Sequence, residues 1–197
     1  MQVELESGRV AVVVLDVQSV FAAADGPFGN TAAGPMIAAI NALLAHARGA
    51  GVPVVHSRYV LRDDLSDAGL LAGFGFDLAP FASSAAAAAI DPRVEVADGD
   101  LHSDHHRPSA FFGSDLAALL GTLGADRLVL CGLSVNNAVA ATARDAFARD
   151  IPCVVVREAT GGAPFESADD VAAAFRALAT WTAEVVPLAD AVRRLTA

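Results

Sequence analysis

Residues 127–147 read RLVLCGLSVNNAVAATARDAF, and this stretch decides the fold. Its first five residues form the apolar run of a buried strand, GLSVNN is a polar turn, and an alanine-rich helix pattern follows. A strand that passes through a tight turn into a helix is one β-α unit of a parallel sheet. The turn offers Ser134, Asn136 and Asn137 to a ligand, and Ala138 stands where a nucleophile is often found.

The same β-α pattern repeats along the chain. Strands are predicted at Val10–Leu15, Val52–Ser57, Arg93–Val96, Arg127–Cys131, Cys153–Arg157 and Ala183–Pro187. Helices are predicted at Ala33–Ala50, Asp115–Leu123, Asn137–Arg149, Ser167–Thr180 and Ala189–Leu195. Nearly continuous apolar strands are typical of parallel sheets that are covered on both faces. The sequence therefore predicts one domain over residues 1–197, an α/β fold of the three-layer α/β/α sandwich type around a mainly parallel, doubly wound, Rossmann-like sheet of six strands.

Composition argues against several classes of protein. The chain of 197 residues is 54% hydrophobic, but its apolar runs are shorter than a membrane span and its start lacks a secretory signal. A net charge of −10 argues against a nucleic-acid surface. Two cysteines do not make a disulfide framework, which favours a cytoplasmic location. We expect a small-molecule ligand, no cofactor, no membrane or nucleic-acid partner, and a homodimer or larger homo-oligomer.

The residues that follow the predicted strands are the candidates for a binding site, because ligands of such folds lie beyond the carboxyl ends of the strands. They are Asp16 and Gln18 after the first strand, Arg58 after the second, the segment His102–Arg107, and the turn GLSVNN. Burial of Asp16 would raise the pKa of its carboxyl and suit it to acid–base chemistry. The alternative roles of Asp16 are a helix cap or an ion pair with Arg58.

The segment HSDHHRPSAFFG, which begins at His102, concentrates three histidines, one aspartate and one arginine in six residues. Such groups can bind a transition metal, but adjacent residues rarely point at one ion, and we predict a polar loop and no metal site. Arg107 or a protonated His105 could recognise a carboxylate. The irregular segment Val60–Asp91 is the candidate lid or partner-contact loop.

Nucleophiles are few. Cys131 and Cys153 lie in strand-like apolar runs, where a thiol is usually an inert core residue. Ser109 and Ser134 would need a base within reach and are expected to have loop or cap roles. The chain contains no lysine, since all thirteen basic residues are arginine, so this chain by itself cannot supply a lysine amine.

Four motifs in order, LDVQSVF, HSRYV, RPSAFFGSDL and LVLCGLSVNNAVAATARDAF, resemble the isochorismatase-like hydrolase family of the cysteine hydrolase superfamily. The resemblance runs from about Arg9 to about Thr160. It implies a parallel-sheet α/β/α sandwich that often forms oligomers. The activities it implies are hydrolysis of amides and ureides and of the vinyl ether of isochorismate.

Most amidases of this family use an Asp–Lys–Cys triad, and the resemblance transfers one of its three members. The aspartate falls on Asp16, the lysine position on His105 and the cysteine position on Ala138. The chain therefore resembles a divergent member that lacks the catalytic cysteine and lysine. The isochorismatase branch also lacks the cysteine; there the aspartate protonates the vinyl ether and water captures the oxocarbenium ion. Ala138 fits that branch better, and His105 would replace the lysine through charge or hydrogen bonding.

Three hypotheses follow. The first, which we favour because Asp16, Gln18, Arg58 and the SAFFG segment match the family as a set, is a hydrolase of a small anionic or cyclic metabolite that uses Asp16 and His105 for catalysis. Its substrate-contacting residues would be Gln18, Phe21, Arg58, Arg107, Ser134, Asn136, Asn137 and Ala138. The second is an inactive scaffold that binds a ligand or partner protein. The third is an amidase with a displaced nucleophile such as Cys131.

Overall fold

The fold is built around one parallel sheet. The computed structural model describes residues 2–5 and 9–195. The six strands are β1 (Val10–Leu15), β2 (Val54–Tyr59), β3 (Leu101–His105), β4 (Arg127–Gly132), β5 (Cys153–Thr160) and β6 (Glu184–Val186). They lie in the order β3-β2-β1-β4-β5-β6, and every neighbouring pair is parallel. The predicted doubly wound sheet is confirmed.

Helices cover both faces of the sheet. They are α1 (Ser19–Ala22), α2 (Ala33–Gly49), α3 (Leu116–Leu123), α4 (Ala140–Phe147), α5 (Ala168–Trp181) and α6 (Leu188–Leu195). Val12 and Val14 of β1 point into the core beneath α2 and α6, whereas Val13 and Leu15 point into the core beneath α3, α4 and α5. This alternation follows from the two-residue period of a strand and confirms the three-layer sandwich. No helix among the described residues is long and apolar enough to span a bilayer.

The third strand is not where the sequence pattern placed it. The prediction of a strand at Arg93–Val96 is wrong: this segment turns beside α2, where Asn41 bonds the carbonyl of Arg93 and the amide of Glu95. The actual strand is β3, eight residues later and at the edge of the sheet. Because an edge strand is partly solvated, its residues alternate between buried and exposed, and its sequence LHSDH lacks the apolar run of a central strand.

The segment between β2 and β3 forms one wall of the ligand end of the sheet. It contains three short 3-10 turns at Gly69–Phe74, Ala79–Phe81 and Ala86–Ala88. Leu61, Leu78 and Phe81 pack with Val20 of α1 into a separate apolar cluster. The segment predicted as irregular is therefore anchored by its own small core.

Candidate active site

The site lies where the winding of the sheet changes direction. The chain passes from β1 to β2 on one side, and β4 lies against β1 on the other side. Asp16 directly follows β1, and the turn beginning at Leu133 follows β4. A cavity of about 890 Å³ opens at this switch point, which is where doubly wound sheets bind their ligands.

The backbone at the end of β1 directs Asp16 into the fold. Asp16 has a φ of 54°, in the left-handed region, which costs a residue with a Cβ roughly 1–2 kcal/mol. Its amide donates to the carbonyl of Ser57 at 2.9 Å, so the sheet holds this conformation. The side chain is 7% exposed and lies at the cavity wall. The hydrogen bond to β2 thus offsets the backbone strain at Asp16, and the Asp16 carboxylate is held at the cavity wall.

His105, the last residue of β3, meets this carboxylate. Its Nε2 lies 2.9 Å from Oδ1 of Asp16, and its Nδ1 lies 2.5 Å from the carbonyl oxygen of Arg107. Because a carbonyl oxygen only accepts, Nδ1 carries a hydrogen. The contact between Nε2 and Asp16 then requires one shared proton, either on the carboxyl group or on the imidazole. The pair is a proton-holding dyad.

The surroundings of His105 favour its charged form. Burial disfavours the imidazolium, but the charge of Asp16, the hydrogen bonds to Asp16 and to the Arg107 carbonyl, and the charge of Asp104 outweigh burial and raise the pKa of His105 above its ordinary 6.5. The ring of Tyr59 lies edge-on to the imidazole at 5.7 Å, and burial raises the pKa of the Tyr59 phenol. His105 thus places beside Asp16 an imidazole that binds a proton more readily than an ordinary histidine, in a chain without lysine.

Arg107 lines the cavity next to the dyad. Its Nη1 donates to the carbonyls of Asp67 at 2.6 Å and His106 at 2.5 Å, which fixes the guanidinium with donors to spare. The group lies so close to Gly69 that a Cβ there would be 2.6 Å from Nη2. Within residues 2–5 and 9–195 no carboxylate forms an ion pair with Arg107. A fixed cation without a carboxylate partner is suited to an anionic ligand.

The turn after β4 depends on Gly132. This residue has a φ of +115°, and a Cβ on it would lie 2.0 Å from the carbonyl oxygen of Leu15. The helix then begins as a wide turn over Val135–Val139, two residues before the predicted start, and continues into α4. Ser134, Asn136 and Asn137, three of the predicted ligand contacts, line the cavity.

Ala138 was expected to contact the substrate, and the geometry corrects this expectation: Ala138 is 1% exposed and is not among the residues that line the cavity. Cys131 lies in the core beneath α2 and α6, and Cys153 lies in the opposite core. Burial raises the pKa of both thiols to about 12. The hypothesis of Cys131 as a displaced nucleophile conflicts with this geometry, because the thiol neither reaches the cavity nor ionises at neutral pH.

Two expected substrate contacts have other partners. The fully buried amide of Gln18 donates to the carbonyls of Tyr59 and Ala88 and accepts from the amide of Tyr59, so it holds the wall and does not line the cavity. Arg58 of β2 makes a two-bond ion pair with Asp104 of the edge strand β3, also outside the cavity. The geometry corrects both expectations, whereas Phe21 does line the cavity.

The three histidines of the cluster in β3 and its following loop point in different directions. His102 stacks on His56, His105 bonds Asp16, and the ring of His106 lies against Phe112. Among the described residues no group of three metal-binding side chains converges.

Sequence reasoning missed most of the aromatic wall. The cavity is also lined by Phe28, Tyr59, Phe74, Phe76, Phe81 and Phe165. The run FGFDLAPF within the irregular segment was the available signal, because phenylalanine is unusual in a solvated loop.

Proteins of known activity are similar in sequence to this chain. N-carbamoylsarcosine amidase of an Arthrobacter species is 29% identical over 157 residues, or 78% of this chain and 60% of that protein. The match thus spans less than two thirds of that relative. Ureidoacrylate amidohydrolase of Pseudomonas syringae pv. syringae is 29% identical over 198 residues, or 85% and 77% of the two chains.

Solved structures share the whole fold. A cysteine hydrolase from Pseudomonas syringae pv. phaseolicola superposes with a TM-score of 0.89 at 25% identity, covering 98% of this chain and 94% of that one. An isochorismatase family protein from Desulfovibrio vulgaris gives a TM-score of 0.83 at 28% identity, with 97% and 100% covered. The isochorismatase domain model matches residues 10–190. The chain therefore belongs to the isochorismatase family.

Proposed function

We propose that this protein is a hydrolase that acts on a small organic substrate through acid–base chemistry at Asp16, with His105 as its charged partner and no cysteine nucleophile. The observation that carries the proposal is the 2.9 Å contact between Oδ1 of Asp16 and Nε2 of His105 at the wall of a large cavity. The tautomer set by the Arg107 carbonyl leaves the dyad one transferable proton.

Hydrolysis of a vinyl ether needs only the one transferable proton of the dyad. The dyad protonates the terminal alkene carbon, and the ether oxygen stabilises the resulting oxocarbenium ion. Water adds to the cation and returns a proton to Asp16, which leaves a hemiketal. Collapse of the hemiketal releases an alcohol and a carbonyl compound, so the net reaction consumes one water and regenerates the dyad. No step requires a thiolate or a lysine amine.

Amides and ureides are the second substrate class to test, because two relatives are named as an amidase and an amidohydrolase. A cysteine nucleophile is not available for them in the described cavity wall, since both cysteines are buried in the core. Water activated by the Asp16 carboxylate would have to attack the carbonyl directly. Arg107 and the turn at Asn136 and Asn137 would bind the anionic part of either kind of substrate.

The test is turnover of a panel of vinyl ethers, amides and ureides by three proteins. The wild type should hydrolyse at least one compound, and Asp16→Asn should lower kcat by about 10²–10⁴-fold. Cys131→Ser is the matched control, because it changes a group outside the cavity and should keep kcat/KM unchanged. Turnover retained in Asp16→Asn would overturn the proposal.

A binding scaffold without catalysis is the second candidate. The observation in its favour is that Ala138 and His105 occupy the positions where the family's amidases are expected to carry cysteine and lysine. Ligand binding to the wild type without turnover of any compound in the panel would support it, whereas turnover that depends on Asp16 would exclude it.

A further inference from the structure

The wall of the cavity is aromatic to an unusual degree. Six of the ten phenylalanines in the chain line it, together with Tyr59. Only two of these six, Phe21 and Phe28, precede β2; three come from the segment between β2 and β3, and Phe165 follows β5. Elements that are distant in sequence therefore present rings to the same space. The small apolar core around Leu61 and Leu78 accounts for Phe81 and in part for Phe21 and Phe28. It does not account for Phe74, Phe76 and Phe165, which are 73%, 40% and 78% exposed.

The rings form a continuous path that begins at the dyad. Tyr59 lies edge-on to His105 at 5.7 Å and to Phe81 at 5.7 Å. Phe81 contacts Phe28 at 5.9 Å, and Phe28 contacts Phe76 at 5.9 Å in an edge-to-face arrangement. These separations are those of favourable aromatic pairs.

The same path runs from the interior to the solvent. Phe81 is 2% exposed, Phe76 is 40% exposed, and Phe74, which contacts Phe76 at 6.2 Å, is 73% exposed. Exposed apolar side chains that continue a cavity to its mouth mark a binding surface. The buried end of this surface is adjacent to the reacting groups, and its exposed end is not.

Several polar groups of the cavity lie at the buried end of this path, beside the dyad, and Asn30 and Glu166 add two more polar side chains to the lining. Asp16, Arg107 and the turn at Ser134 supply charge and hydrogen bonds beside the dyad. At about 890 Å³ the cavity lies near the upper end of the roughly 300–1,000 Å³ of pockets that hold drug-sized ligands. A small polar amide or ureide would occupy the polar end and leave the aromatic path in water.

We propose that the substrate carries an aryl tail beyond its reacting group, and that the path from Phe81 through Phe28 to Phe76 binds this tail. The inference rests on the proposed function for the identity of the reacting end and adds the chemistry of the remote end. The ligand is an anionic compound in which Arg107 holds the charged group, the scissile bond faces Asp16, and a ring stacks between phenylalanines.

Binding without chemistry tests the proposal separately from catalysis. In Asp16→Asn, isothermal titration calorimetry should measure the affinities of butyrate, 4-phenylbutyrate and 4-cyclohexylbutyrate, none of which has a hydrolysable bond. We expect 4-phenylbutyrate to bind at least about tenfold more tightly than butyrate, and more tightly than the cyclohexyl analogue, because the rings prefer an aromatic partner. Equal affinities for butyrate and 4-phenylbutyrate, or a preference for cyclohexyl over phenyl, would overturn the proposal.

Substitutions of single phenylalanines test where the aryl tail binds. Phe76→Leu in the Asp16→Asn background should reduce the preference for phenyl over butyrate about tenfold. Phe74→Leu, at a more exposed ring, should reduce it less and provides a second reading if Phe76→Leu does not fold. Phe112→Leu is the matched control, since Phe112 is 56% exposed and does not line the cavity. An undiminished preference in both path variants would overturn the proposal.

The two proposals fail in different ways. A phenyl preference in Asp16→Asn, combined with a wild type that hydrolyses nothing, supports the aryl-tail site and removes the proposed hydrolysis. Conversely, Asp16-dependent turnover with equal kcat/KM for matched methyl and benzyl vinyl ethers, and no phenyl preference in binding, supports the hydrolase and removes the aryl tail.

Discussion

Nε2 of His105 contacts Oδ1 of Asp16 at 2.9 Å across a sequence separation of 89 residues. Asp16 directly follows β1 and His105 ends β3, and these strands are not neighbours because β2 lies between them. The contact therefore spans the carboxyl end of β2, and Asp16 makes it from a left-handed backbone conformation. The dyad thus joins the central part of the sheet to its edge strand.

Removing the imidazole should impair catalysis and leave the fold intact. His105→Gln keeps a hydrogen-bonding group but cannot hold the shared proton or a positive charge beside Asp16. We expect kcat to fall by about 10²-fold on whichever compound the wild type hydrolyses. His102→Gln is the control, because His102 stands on the same strand outside the cavity. Equal rates for the wild type and His105→Gln, measured from initial velocities, would exclude a role for the imidazole.

The dyad should also make stability depend on pH in a defined direction. The pKa of His105 is higher in the folded chain than its ordinary 6.5, despite the opposing effect of burial, because of Asp16, the Arg107 carbonyl and Asp104. The folded state therefore binds this proton more tightly than the unfolded state. The contribution to the free energy of unfolding is complete below pH 6.5 and is lost as pH rises through the folded-state pKa.

Urea denaturation at several pH values measures this effect as the difference in unfolding free energy between the wild type and His105→Gln. The difference should shrink as pH rises, and it should flatten in an Asp16→Asn background, where the attracting charge is gone. A difference that grows with pH would show that His105 is held neutral.

The sheet was predictable from sequence because β1 and β4, at its centre, are nearly continuously apolar and β2 and β5 begin with apolar runs. Runs such as VAVVVL and RLVLC are typical of strands in a parallel sheet that is covered on both faces. The edge strand β3 was not predictable in this way, since LHSDH is half solvated and VEV nearby has the higher β propensity. Tertiary pairing with β2 decided between the two segments.

The candidate site was predictable only in part, for a related reason. Topology places Asp16, His105 and the turn after β4 at the same edge of the sheet, so strand ends alone bring them together. The position of a residue at a strand end does not indicate whether its polar side chain faces the ligand or bonds to the backbone of the fold. Gln18 follows the same strand as Asp16, yet its amide is fully bonded to backbone groups.

Gln18 should therefore be a stability residue. Gln18→Ala removes three hydrogen bonds from a fully buried position and leaves the amide and carbonyl of Tyr59 and the carbonyl of Ala88 without their partner. We expect a loss of about 3 kcal/mol in the free energy of unfolding. Asn41→Ala is the matched control, because its amide also bridges two backbone groups but is solvent-accessible, and its loss should be about 1 kcal/mol or less. Equal losses in chemical denaturation would contradict this account.

Gly132 should tolerate no side chain. In Gly132→Ala the new Cβ would meet the carbonyl oxygen of Leu15 at 2.0 Å, and a φ of +115° is unfavourable for alanine. We expect a loss above about 4 kcal/mol or no folded protein, because β1 and β4 cannot separate without breaking the central pairing. Gly121→Ala in α3 is the control: nothing lies within 4 Å of its Cβ, so it should gain about 0.5–1 kcal/mol. A soluble Gly132→Ala with an unchanged melting temperature would refute the close approach.

The two thiols should be unreactive in the folded protein. Burial in apolar cores raises the pKa of Cys131 and Cys153 to about 12, so the thiolate population at neutral pH is negligible and iodoacetamide cannot reach the sulfur. Mass spectrometry should therefore detect little labelling of the native protein over hours and two adducts in urea. The denatured sample controls for reagent activity. Rapid native labelling of Cys131 with parallel loss of turnover would favour a thiol mechanism over one at Asp16, because only an ionised, accessible sulfur reacts in this way.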